Sequence, residues 1–75
     1  MPCDISVIVP VFNEADNILP LAQEVAAALI HELRSYELVF VDDGSTDDTW
    51  ARIQQARRSD ARVRGLRHAR NAGQS

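Results

Sequence analysis

The sequence predicts a parallel α/β fold of strand–helix–strand–helix–strand order, and three observations carry that expectation. Two short runs, at 5–11 and 36–41, are rich in β-branched and apolar residues without polar alternation, as in strands covered on both faces. Between them, Ile18, Leu21 or Ala22, Val25, Leu29 and Leu33 recur at helical spacing. Each connection is long enough to hold a helix, and such crossovers join parallel strands in a right-handed sense.

The elements follow in order. The first strand is Ile5-Ser6-Val7-Ile8-Val9-Pro10-Val11, and Pro10, which has no N–H to donate, is expected to stop its pairing. Asn13-Glu14-Ala15-Asp16 then reads as a loop. With Asn17 as N-cap, Pro20 falls at the third helical position, where a missing N–H costs nothing. This helix is expected to fade near Arg34-Ser35. The second strand, YELVFV, runs into Asp42-Asp43-Gly44-Ser45, a turn signal with Gly44 available for a positive φ. Ser45 or Thr46 is the expected cap of the second helix, with Asp47 and Asp48 in its first turn to suit the dipole. Trp50, Ile53 and Ala56 or Arg57 form its inward face, and Ser59-Asp60-Ala61 ends it. Val63 to Leu66 is a weak third strand interrupted by Gly65.

The composition excludes several classes. The chain has 75 residues, 45% hydrophobic and 25% charged, which fits one small globular unit rather than a disordered tail. No apolar run reaches the ~20 residues needed to cross a bilayer, and the start, MPCDIS, lacks a signal-peptide pattern. The single Cys3 forms no internal disulfide, so the chain reads as cytoplasmic and Cys3 as inert. The net charge of −3 hides a split: residues 1–48 hold ten acids against Arg34, and residues 49–75 hold seven arginines against Asp60. A basic third can face phosphates or be a solvated helix face, and charge alone does not argue for nucleic acid. With three glycines and no lysine there is no GxGxxG fingerprint, no P-loop and no lysine-dependent phospho-acceptor site.

In open α/β sheets ligands bind beyond the carboxyl ends of the strands. Those ends carry Pro10-Val11-Phe12-Asn13-Glu14 and Asp42-Asp43-Gly44-Ser45. Paired acids at such a place can hold a metal, accept protons, accept hydrogen bonds from a ligand, or only close the turn. With the Phe12 ring and Glu14 opposite, the combination suits a nucleoside: the ring stacks and a carboxylate accepts an N–H of the base. One such charge-assisted bond contributes ~1.5–3 kcal/mol, enough to select a base.

The strings ISVIVPVFNE and ELVFVDDGSTD resemble the start of a family 2 glycosyltransferase of the GT-A fold. The tail Arg70-Asn71-Ala72-Gly73-Gln74 is similar to the R-N-x-G-Q segment of the polyprenyl- and dolichyl-phosphate sugar transferase branch. Phe12 stands where a Tyr is more usual. The resemblance covers almost the whole chain and implies that residues 1–75 are a partial domain, the amino-terminal, Rossmann-like, nucleotide-binding half of a longer protein. It assigns Pro10, Phe12, Glu14, Val41 and Asp43 to nucleotide-sugar binding, gives Asp42 a supporting role in the loop, and puts Arg70 near the donor. His31 and His68 match no family role and read as surface residues.

The same resemblance implies a parent enzyme that moves a sugar from a UDP- or GDP-sugar to an acceptor such as a polyprenyl phosphate, at the cytoplasmic face of a membrane. No catalytic base and no metal ligand is assignable here: the D-x-D motif for Mg or Mn, the base and the acceptor site belong to later family segments. The chain alone is therefore expected to be inactive, and a stand-alone nucleotide-binding or interaction module is the alternative. In the family sheet the first strand also pairs with a later strand, so its edge is expected to be open here and to favour a homo-oligomer.

Overall fold

The computed structural model describes residues 4–68. The strand-helix order is as expected: β1 (Ile5–Val11), α1 (Ala15–Ala28), β2 (Tyr36–Asp42), α2 (Thr49–Ser59) and β3 (Val63–Arg67). The sheet has the order β1-β2-β3 and both pairs are parallel. Two right-handed crossovers stepping in one direction put both helices on the same face. Cys3, Arg70 and the rest of the tail lie outside the described residues.

Strand alternation sorts the side chains. Val7, Val9 and Val11 of β1, Leu38 and Phe40 of β2 and Val63 of β3 meet Ile18 of α1 with Ile53 and Ala56 of α2 in one core. Phe40, Ile18 and Ile53 are fully buried, each contributing ~1.5–3 kcal/mol by leaving water. The opposite face carries no helix among the described residues, and Ile8, Pro10, Arg64 and Leu66 are exposed on it around a buried Val39. Its amino end is a polar row, where Ser6 Oγ donates to Glu37 Oε2 at 2.6 Å and Arg64 Nε pairs with Glu37 Oε1 at 2.9 Å. Its carboxyl end is apolar: Pro10, Val41 and Leu66 are neighbours in register, and Ile8 and Leu66 are exposed.

Several expectations change. The first strand is covered on one face only, its residues alternating between half-buried and exposed up to Val11. Pro10 does not end the pairing. The Ile5 N–H and the Val11 carbonyl both bond toward β2, so by alternation the nitrogen of Pro10 faces the other edge, where no donor is needed. Helix α1 begins at Ala15 with Glu14 as N-cap, which absorbs Ala15 and Asp16 from the expected loop and leaves Pro20 inside the helix on an exposed position. It closes at Ala28 rather than near Arg34, and Leu33, expected on its apolar stripe, is fully exposed. Neither Ser45 nor Thr46 caps α2; Asp48 occupies that position and Asp47 precedes the helix. Several of the arginines are engaged locally: Arg62 lies over the Tyr36 ring at 5.0 Å and Arg67 over the Trp50 ring at 5.5 Å.

Gly65 does not interrupt β3. A Cβ there would lie 2.6 Å from Ile53 Cγ2 and 3.3 Å from the Trp50 ring, so its absence lets α2 sit directly on the strand. Ile53 is fully buried and has no room to yield. Gly65→Ala should therefore destabilise the fold by about 1–3 kcal/mol, the cost of overpacking. Urea unfolding of G65A, I53A and the double variant checks this. The two changes should be less than additive, because I53A removes the obstructing methyl; full additivity would refute the contact.

Candidate functional site

The carboxyl edge of the sheet is built by two loops that hydrogen-bond to each other. Asn13 adopts φ 52° and Gly44 φ 80°, the left-handed region that Gly tolerates and Asn visits more readily than most residues. In that conformation the Asn13 N–H donates to Ser45 Oγ at 2.7 Å, while Asn13 Oδ1 accepts the Thr46 N–H at 2.8 Å. The Glu14 N–H donates to Thr49 Oγ1 at 2.8 Å, and the Ala15 N–H reaches Asp47 Oδ2 at 3.4 Å. These are the free donors at the start of α1, satisfied here by side chains of the other loop. That supply explains why α1 starts earlier than its own capping signals indicate.

The paired acids diverge. Asp42 is fully buried, and its Oδ1 accepts the Ser45 N–H at 2.8 Å, closing the turn from within. Its Oδ2 has no partner among the described residues. Asp43 is held at the backbone, its N–H donating to the Val11 carbonyl at 3.0 Å, and its side chain is 49% exposed. Asp43 Oδ1 lies 3.2 Å from His68 Nδ1.

Of the residues expected at the site, Pro10 and Val41 are register partners on the open face, and Asp43 lies two residues on from Val41 along β2's line. Phe12 follows β1 directly and is 48% exposed. Glu14 stands apart from that row. As N-cap of α1 its carboxylate accepts from Asn17 Nδ2 at 3.4 Å, and it lines a hollow of about 350 Å³ with Asp16, Asp47, Asp48 and Arg52. Sequence reasoning missed His68 and the cross-loop bonds. The signal for His68 was positional: Asp42 pairs with Arg67, so the next step sets Asp43 beside His68.

The described residues do not offer a metal site. No three His, Cys, Asp or Glu side chains gather to hold an ion among them. The acids nearest the site are turned to other work: Asp42 to the Ser45 amide, Asp43 to His68, and Asp47 to Thr49 and Ala15.

The parallel three-stranded sheet with its helices on one face has the fold of the amino-terminal part of a GT-A sheet. The chain belongs to glycosyl transferase family 2, whose model matches residues 6–75. It is 38% identical over 73 residues to a dodecaprenyl-phosphate galacturonate synthase of Rhizobium johnstonii, covering 96% of this chain and 22% of that protein. It is also 38% identical over 71 residues to an undecaprenyl-phosphate 4-deoxy-4-formamido-L-arabinose transferase of Edwardsiella ictaluri, again 22% of that protein's length. Among solved structures it is similar to a Pyrobaculum calidifontis mannosyltransferase in complex with GDP-Man and Mn2+, with TM-score 0.56 and 24% identity over 92% of this chain and 23% of that one. The chain thus spans about a fifth of the length of the relatives it matches.

The cross-loop bonds have a pH signature at Asp47. Its carboxyl is held below its ordinary value of 3.8, first by the Thr49 hydroxyl and then by the Thr49 and Ala15 N–H groups, against a partial loss of hydration. A carboxyl that binds its proton less readily folded than unfolded adds stability that is complete above the unfolded value and is lost as pH falls through the folded one. Wild type should therefore be more stable than D47N at pH 7, with the gap closing below about pH 3.8. Urea midpoints of both proteins from pH 7 to pH 2.5 check this; a gap independent of pH would refute it.

Proposed function

We propose that residues 1–75 form the donor-nucleotide-binding half of a glycosyltransferase domain whose parent moves a sugar from a UDP- or GDP-sugar to a polyprenyl phosphate. The observation that carries the reading is the placement of Pro10, Val41 and Asp43 on one open face at the carboxyl end of the sheet, with the half-exposed Phe12 ring beside them. The ring offers a stacking surface and Asp43 a carboxylate acceptor for a base N–H. Glu14 completes the first loop through its backbone, which ties that loop to Thr49. The relatives named for polyprenyl-phosphate sugar transfer support the acceptor class, which would bring the parent to a membrane face. The neighbouring mannosyltransferase, solved with Mn2+, supports a divalent cation such as Mg or Mn in the parent, held by residues other than those described here. On this reading the 75-residue chain recognises a base and carries out no transfer by itself.

Half a site should bind weakly, with ~mM affinity or about −4 kcal/mol for a nucleoside diphosphate. Titrating UDP and GDP while following amide shifts should move Phe12, Val41 and Asp43, and D43N should lose the response. Shifts confined to the arginines of α2 and β3 that spare Asp43 would overturn the base-binding assignment.

The open edge and face also bear on association. Among the described residues nothing pairs with the far edge of β1, toward which Ser6, Ile8 and Pro10 turn their backbones. Ile8, 58% exposed on β1 itself, leaves apolar surface beside it. Both features favour self-pairing of β1 across a two-fold axis. Light scattering over a concentration series should show a dimer or larger species, and a compact monomer at millimolar concentration would refute the pairing.

A further inference from the structure

His68 stands one rung beyond the last paired residues of β2 and β3. Asp42 and Arg67 are register partners, and the His68 N–H donates to the Asp42 carbonyl at 2.8 Å. The next step along both strands brings Asp43 and His68 side by side, on the face that also carries Val41 and Leu66. There Nδ1 lies 3.2 Å from Asp43 Oδ1. An ionised carboxylate only accepts, so Nδ1 carries the hydrogen. Both backbones are tied down, Asp43 to Val11 and His68 to Asp42. The Asp43 carboxylate is half exposed at 49%, and the His68 ring is a partner that bears on its rotation. A group that must meet a base N–H at hydrogen-bond distance and angle gains from being held in advance.

We propose that His68 is the positioning residue of the base-recognising carboxylate: by donating Nδ1–H to Oδ1 it sets the plane in which Asp43 meets the N–H of a uracil or guanine base. This rests on Asp43 reading the base. It adds to that reading a residue that directly follows the third strand, outside both loops that the motif strings cover. His68 acts through Asp43 and does not itself touch the nucleotide.

The test uses the 75-residue chain with UDP and GDP as probes and four proteins: wild type, H68A, H68N and D43N. His68 is exposed, so its variants should keep the wild-type amide spectrum. H68A should weaken binding about threefold, in the range of an exposed charged hydrogen bond. H68N should stay at wild-type affinity, because its amide nitrogen replaces Nδ1 as donor. Without nucleotide, imidazole nitrogen spectra should show His68 protonated at Nδ1 in wild type, and this signature should weaken in D43N, whose uncharged amide oxygen is the poorer acceptor. If H68A binds as tightly as wild type while D43N does not bind, the positioning role is wrong and the base-binding reading stands. If H68N falls with H68A, the donor is not what matters and the proposal fails. If D43N binds like wild type, or neither nucleotide binds wild type, the base-binding reading falls and this inference with it.

Discussion

The carboxyl edge of this sheet depends on satisfying backbone donors that neither a strand ladder nor a helix can reach. Asn13, Glu14, Ala15 and Thr46 each present an N–H at a bend or helix start, and each is met by a side chain from the opposite loop. The Asn13 and Glu14 bonds are half-buried, and an N–H left unmet there would cost about 1–3 kcal/mol. The four bonds therefore make the two loops one unit rather than two neighbours. Asp42 serves the same end from below, since its buried carboxylate holds the Ser45 amide and with it the hydroxyl that Asn13 uses. Everything proposed for the site stands on this clasp, because it sets where β1 ends, where α1 begins and where the chain after Asp43 turns.

Above the clasp, the parallel register divides labour between two faces. Even-numbered residues of β2, with odd-numbered ones of β1 and β3, close the core against the helices; the alternate set forms the open face. One consequence is that Asp42 and Asp43, adjacent and chemically identical, cannot share a role. The first is fully buried beneath the turn and the second is half exposed beside His68. Gly65 belongs to the same division, since its lack of a Cβ lets Ile53 and Trp50 of α2 sit directly on β3.

The strand order, the helix faces and the two polar loops were legible because they rest on period and local chemistry. β2 is apolar almost throughout, and Thr49, Ile53 and Ala56 are buried at helical spacing. What was not legible came from distant partners. Asn17 looks like the cap of α1 because it is a good capping residue followed by Pro20; the actual start is set by Thr49 and Asp47, more than thirty residues away. Pro10 looks like a terminator until the register shows that its nitrogen faces the unpaired edge. Leu33 fits the helical stripe, yet the chain has to leave α1 early enough to return for β2. His68 carried no motif, and only the continuation of the β2–β3 register gives it a neighbour.

The charge distribution explains why recognition at this edge should stop at the base. Glu14, Asp43, Asp47 and Asp48 lie along the two loops and Asp16 at the start of α1, and Arg52 shares a hollow with Glu14, Asp16, Asp47 and Asp48. Each exposed carboxylate opposes a phosphate 4 Å away by about 1 kcal/mol in water, and by more where water is excluded. The three arginines of the β3 segment are engaged elsewhere: Arg62 and Arg67 over rings, Arg64 on Glu37. A base presents N–H donors that carboxylates welcome, whereas a diphosphate presents only acceptors. An edge with this composition favours the uncharged end of a nucleotide donor and requires a cation or a basic segment, supplied from outside residues 4–68, for the charged end. On the proposed reading, the acidity that suits Asp43 to a base N–H is the same property that opposes a diphosphate at this edge.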